Sequence, residues 1–217
     1  MPVDLSFYDS PVLVADGIWW VGFVDTHSGL HCNPYLIVDG NEAVVIDGGS
    51  RPDFPTVMLK ILQTGISPAQ IQALIYQHYD PDLCGSIPNF EDLIGRDDLI
   101  IISDKENNLF IRHYLVTSRI MSLEAVHFQH TFRSGRRLTF FKTPYCHSGG
   151  SFITFDSHTG VLFTSDLFGS ISRDWELFVE LEPECRVCPV PSESCPTRKT
   201  PCPLPGILEF HRRLMTS

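Results

Sequence analysis

The chain has 217 residues, 43% of them apolar and 19% charged, which implies one globular domain with at most a small appendage and excludes a disordered chain. A net charge of -10 and a pI of about 5.2 exclude a nucleic-acid footprint and attraction to an anionic membrane surface. No apolar run approaches the roughly 20 residues of a membrane span, and Met1-Pro-Val-Asp-Leu-Ser6 resembles no leader, so a cytoplasmic location is expected and the cysteines are expected as thiols or metal ligands.

Val12 to Val24 is rich in Val, Ile and Trp and reads as strand. Tyr35-Leu-Ile-Val38 and Ala43-Val-Val-Ile46 flank an Asp-Gly-Asn turn, a hairpin signal. Residues 51–65 carry apolar side chains at helical spacing (Val57, Leu59, Ile61, Leu62) and stop at Gly65. Ser67-Pro68 starts a short helix, and Leu74-Ile-Tyr76 is a buried strand leading into His78. Leu99–Ile102 is a further strand, followed by a helix over about 105–118. Ala125–Phe128, Leu138–Lys142, Ser151–Phe155 and Val161–Phe163 read as strands. Hairpins alternating with helices predict an α/β sandwich and not a doubly wound parallel sheet.

The chemistry concentrates in Gln77-His78-Tyr79-Asp80-Pro81-Asp82. His78, Asp80 and Asp82 alternate, and alternation in an extended turn aims three ligands at one point beyond the strand end. Pro81 keeps Asp80 out of a helix. One imidazole and two carboxylates suit iron, manganese or zinc. A solvated turn would have the same composition. Two later segments favour a metal site. Pro144-Tyr-Cys-His147-Ser-Gly-Gly150 places a His at a strand end before two glycines. Val161-Leu-Phe-Thr-Ser-Asp166 places a carboxylate after an apolar strand, which is costly unless it binds something.

This order of motifs resembles the metallo-β-lactamase superfamily. Within it, the match is to the diiron branch of flavodiiron proteins and flavin-free oxygen-binding diiron proteins. Asn33-Pro-Tyr-Leu-Ile37 and Val44-Val-Ile-Asp47 fit that branch's opening strands. The resemblance covers about residues 12–175 and implies an αββα sandwich of two mixed sheets flanked by helices. Hydrolases of the superfamily usually have a His where this chain has Asp80; the diiron branch has a carboxylate. Carried over, the resemblance implies that His78, Asp80 and His147 bind one iron, that Asp166 bridges both, and that Asp82 binds the second. His27, in the loop Asp25–Cys32, would then stand beside the open iron face. The family's His after the second Asp is here Leu83, and its final His-Gly has no counterpart; His211, in Phe-His-Arg-Arg, is the only later His. The second iron is therefore expected to be weakly held, and the chain is expected to lack the family's last strand. Cys84 and Cys146 each neighbour an implied ligand and read as small buried residues.

Residues 181–206 hold seven of the 16 prolines and four of the seven cysteines. Cys185, Cys188, Cys195 and Cys202 suit a structural zinc or an iron–sulfur centre; a proline-rich loop with free thiols is the alternative. The expected organisation is a diiron domain over 1–180, this Cys/Pro-rich metal-binding insertion, and the start of a C-terminal helix over 207–217. The resemblance implies a protein that binds, senses or reduces dioxygen. With no room for a flavodoxin domain, it would need an external reductase or a signalling partner. Two rival readings are a zinc hydrolase and a degenerate binding module without catalysis. A homodimer is compatible with either.

Overall fold

The computed structural model describes residues 8–24, 32–146, 148–168 and 177–178. Packing divides the chain into two units, Met1–Phe23 with Cys32–Ser165, and Val24–His31 with Asp166–Ser217. The architecture below is that of the first unit.

Val12–Ala15 (β1) and Ile18–Trp20 (β2) form a hairpin over Asp16-Gly17. Gly17 has φ +66°, and a Cβ there would lie 2.4 Å from the carbonyl oxygen of Val38. Both the conformation and the close approach require glycine. Tyr35–Asp39 (β3) and Glu42–Ile46 (β4) pair across the expected Gly40-Asn41 turn. Ile71–Ile75 (β5), Ile100–Ser103 (β6) and Arg119–Ser122 (β7) complete a sheet whose spatial order is the chain order, β1 to β7. Pairing is antiparallel from β1 to β4 and parallel from β4 to β7. Parallel neighbours need crossovers, and helices supply them. Phe54–Gln63 (α1) links β4 to β5; Pro81–Cys84 (α2) and Ile87–Ile94 (α3) link β5 to β6; Lys105–Ile111 (α4) links β6 to β7. Gln129–Thr131 (β8), Arg137–Lys142 (β9), Phe152–Asp156 (β10) and Leu162–Phe163 (β11) form a second sheet, antiparallel across its four described strands. Of the two mixed sheets expected, the first is mixed.

The strands sort their side chains with period two. From β4, Ala43 and Val45 pack with Val57, Ile61, Ile87 and Phe90 of the helices. Val44 and Ile46 pack on the other face with Leu138, Phe140, Phe152 and Phe163 of the second sheet. All five residues of β4 are buried, as a central strand covered on both faces should be. Each such aliphatic side chain contributes about 1.5–3 kcal/mol. The described residues thus show three layers, helices on sheet on sheet.

Two buried polar groups join the layers. Lys60, on α1, hydrogen-bonds the carbonyl oxygens of Tyr8 and Gly22, and its ammonium lies 4.4 Å from the Trp20 ring centroid. Burial lowers its pKa to about 8. Arg136, just ahead of β9, pairs with Asp156 at the end of β10 at 2.7 Å and also donates to the carbonyl of Asp16 at 3.2 Å.

Three expectations are corrected. The helix expected over 105–118 ends at Ile111; a 3-10 turn, Arg112–Tyr114, follows, and Leu115 at φ +62° breaks the path. Residues 125–128 are no strand: His127 and Phe128 have φ of 54° and 57°, and the Phe128 N–H donates to Leu123 across a turn. The ligand segment is not extended throughout. Asp80 is extended (φ -67°, ψ 152°), as a residue before proline should be, but Pro81 opens α2 as its first residue and Asp82 sits on that helical turn.

Candidate metal centre

The site begins where β5 ends. Past Ile75 the chain leaves the sheet, so its peptide groups need new partners. Six consecutive carbonyls receive them. Ile75 accepts from the N–H of Asp47 (2.9 Å), Tyr76 from the Ser103 hydroxyl (2.5 Å) and Gln77 from the N–H of Phe152 (3.2 Å). His78 accepts from the Cys84 thiol (3.4 Å), Tyr79 from the Tyr114 hydroxyl (2.9 Å) and Asp80 from the N–H of Cys84 (2.9 Å). The segment carrying the ligands is thereby held at every residue.

Asp47 contributes most. It follows β4 with φ +52° and is buried. Its carboxylate accepts from the Gln77 N–H at 2.9 Å and the Gln77 side-chain amide at 3.0 Å. The second sheet is tied to the same place. Asn107, on α4, donates to the Ser103 hydroxyl (3.0 Å) and to the carbonyl of Gly150 (2.8 Å). A Cβ on Gly149 would lie 2.4 Å from the Glu106 carboxylate, and one on Gly150 2.2 Å from the Asn107 amide oxygen. The glycine pair after residue 147 is therefore what lets this loop reach the first turn of α4.

His78, Asp80 and Asp82 converge: one ligand atom from each lies within 4.8 Å of the others. The His78 ring is 1% exposed, its Nδ1 is 3.0 Å from the Ser165 hydroxyl, and its Nε2 is 3.7 Å from an oxygen of Asp80. A buried imidazole fixed through one nitrogen presents the other to a ligand site. The donor set, one nitrogen and two anionic oxygens, fits a divalent iron, manganese or zinc ion. Burial first, then the negative charges of Asp47, Asp82 and Asp80, pushes the Cys84 thiol well up, so this cysteine is a neutral thiol. Burial, followed by Cys84, Asp80 and Asp82, raises Tyr114 to about 12.

Asp166 lies half-buried on the 3-10 turn Ser165–Phe168 that follows β11, and belongs to the second unit. His27, His147, His211 and the cysteines at 185, 188, 195 and 202 lie outside the described residues. Cys84 is buried and Cys146 partly so. Asp47, Ser103, Tyr114 and Ser165 were not singled out from the sequence. Asp47 carries the signal that marked Asp166, a carboxylate at the end of an apolar strand. The other three carry none that is local.

A helix-covered mixed sheet packed on a second sheet, with a metal-ligand cluster at the strand ends, defines a metallo-β-lactamase-like domain. Residues 30–217 match the family model described as ODP family beta lactamase, and the chain belongs to that family, in the flavodiiron branch of the superfamily. It is 28% identical over 184 residues to a nitric oxide reductase of Moorella thermoacetica, covering 73% of this chain and 42% of that protein. It superposes on a variant of the flavo di-iron protein of Thermotoga maritima with TM-score 0.65 at 21% identity, covering 82% of this chain and 47% of that one. The flavodiiron protein of Giardia intestinalis gives TM-score 0.64 at 20% identity, covering 76% and 42%. At these identities the structural likeness bears on the fold. The chain spans under half the length of each of these proteins. Among the described residues no helix is long and apolar enough to cross a membrane.

Proposed function

We propose that this is a non-haem diiron protein that binds, senses or reduces dioxygen, drawing electrons from an external reductase or passing its state to a signalling partner. The observation that carries the reading is the convergence of His78, Asp80 and Asp82 at the end of β5, in a chain of the flavodiiron branch. In this reading His78, Asp80, His147 and Asp166 hold the first iron, and Asp166 and Asp82 hold the second. When bound, the irons supply the electrons that dioxygen takes up. The chain's residues do the rest. The carboxylates at 80, 82 and 166 provide an anionic shell that favours the ferric state. Ser165 holds Nδ1 of the His78 ring, and His27 would offer a hydrogen-bond donor to bound dioxygen or water. Cys185, Cys188, Cys195 and Cys202 would hold a separate structural zinc or iron–sulfur centre within the 181–206 insertion.

Anaerobically stripped protein titrated with ferrous iron should bind one equivalent tightly and a second loosely, because position 83 is Leu and the second metal draws on few donors. The tight equivalent should vanish in His78→Ala. A limited dose of O2 should then produce the visible absorption of oxo-bridged ferric iron, with His27→Ala slowing or destabilising the response. Zinc at the main site together with thioester or nitrocefin hydrolysis, and no spectral response to O2, would overturn the reading.

A further inference from the structure

Tyr79 lies between two of the three clustered ligand residues. Rotation of the peptide after Tyr79 swings Asp80 relative to His78, whose facing atoms are 3.7 Å apart. Two contacts oppose that rotation, and both come from the end of the β6–β7 crossover. The Tyr114 hydroxyl donates to the Tyr79 carbonyl at 2.9 Å. The Tyr79 ring stacks on Phe110 with centroids 4.2 Å apart and planes 19° apart. Phe110 belongs to α4 and Tyr114 to the 3-10 turn that ends it, so one element grips the peptide and the ring of the same residue. The neighbouring His78 carbonyl accepts from the Cys84 thiol, a weak donor, at 3.4 Å. The phenol is therefore the strong pin on the peptide that joins Tyr79 to Asp80. The left-handed residue Leu115 turns the chain away immediately after it.

We propose that Tyr114 is a positioning residue of the metal centre: its hydroxyl, with Phe110 beneath the Tyr79 ring, sets the separation of His78 and Asp80 and so the metal affinity of the cluster. The inference rests on the reading of His78, Asp80 and Asp82 as metal donors. Tyr114 bonds the backbone between two ligand residues and acts through it. Its aromatic body also packs against the core, and a purely structural role would make that packing the whole of its contribution. Tyr114→Phe separates the two, since it keeps the ring and deletes the hydroxyl.

The probe is cobalt(II), which reports coordination geometry by its d–d absorption, titrated anaerobically into the stripped full-length chain in competition with a chelator. Tyr114→Phe should bind cobalt about fivefold more weakly than the unchanged chain, the effect of one net hydrogen bond. Its d–d bands should differ in intensity, while the thermal midpoint of the metal-free protein falls by no more than the few degrees that one hydrogen bond costs. Phe110→Leu, which removes the stack and keeps the hydroxyl, should shift affinity in the same direction by less. Identical affinity and bands in Tyr114→Phe would overturn the inference, as would a loss of affinity with unchanged bands. Failure of the underlying reading looks different: His78→Ala would bind as much cobalt, and as tightly, as the unchanged chain.

Discussion

The two ends of β10 place their carboxylates in opposite ways. Where the strand ends, Asp156 is fully buried and meets a guanidinium from the same chain, with Arg136 bonding both carboxylate oxygens at 2.7 and 3.2 Å. Where it begins, Phe152 bonds the ligand segment, and there an imidazole and two carboxylates gather within 4.8 Å. The first arrangement is a closed clasp that joins the second sheet to the β1–β2 hairpin. The second is a set of donors aimed at one point. A buried carboxylate is costly unless a cation answers it. At the clasp the fold supplies that cation; at the strand ends Asp80 and Asp82 keep partial exposure and are arranged with the buried His78 so that a metal ion can answer them.

The largest expected effect lies at the clasp. Asp156→Ala strands a buried guanidinium and should cost about 3–5 kcal/mol of unfolding free energy, measured by urea denaturation. Arg136→Met combined with Asp156→Leu should recover most of it, because the closed pair itself is worth little beyond its own desolvation. Burial raises the Asp156 carboxyl, but Arg136, Thr159 and the His158 N–H pull it below its ordinary value. A depressed carboxyl contributes stability that is fully present above the ordinary carboxylate pKa of about 4 and is lost as pH falls through the depressed value. Asp156→Asn should accordingly flatten the acid limb of the stability profile. If its profile matches that of the unchanged chain, the clasp is not what acid breaks.

At the ligand end, Asp47→Ala removes the acceptor for two buried donors and should cost about 2–4 kcal/mol. It should also weaken metal binding about tenfold by loosening Gln77. Asp47→Asn keeps one oxygen for the Gln77 N–H and tolerates φ +52°, so it should cost less than half as much. Equal metal affinity in Asp47→Ala would mean that the turn is held by its six bonded carbonyls alone. The smallest effect concerns Leu115, 79% exposed at φ +62°. Leu115→Asn should stabilise the protein by roughly 0.5–1 kcal/mol by relieving the left-handed strain, and should leave cobalt affinity unchanged.

The sandwich was legible in the sequence because its strands are short apolar runs separated by turn residues, and the core follows from their alternation. Errors arose where one backbone angle overrode a local pattern. Leu115 cuts the expected helix short, and His127 with Phe128 folds an apolar run into a turn. Helix α3 is legible from its ends, with Ser86 at its start, Pro88 in its first turn and a left-handed Gly95 as its stop, whereas strand β7 lies at the sheet edge without the alternation that marks a strand. The ligand trio was legible as a spacing, but its geometry was not: the three side chains meet because Pro81 starts a helix, not because the chain stays extended. The supporting residues were invisible for a different reason. Ser103, Tyr114 and Ser165 act 27, 35 and 87 positions from their partners, and no local pattern encodes a contact that only the sheet order creates.

That sheet order has a consequence for how the molecule is made. Seven strands lie side by side in the order in which they are synthesised, and the four of the second sheet do likewise. As the chain emerges from the ribosome, each new strand therefore finds its partner already at the growing edge, with no gap held open for a later arrival. Assembly can proceed like a zip, N-terminus first. The His78 turn, between β5 and β6, takes shape early in that progress. The loop at residue 147 and the turn at residue 166 come only after β9 and β11. A centre that draws on all three closes last, so metal loading would mark the completion of the domain and not its nucleation.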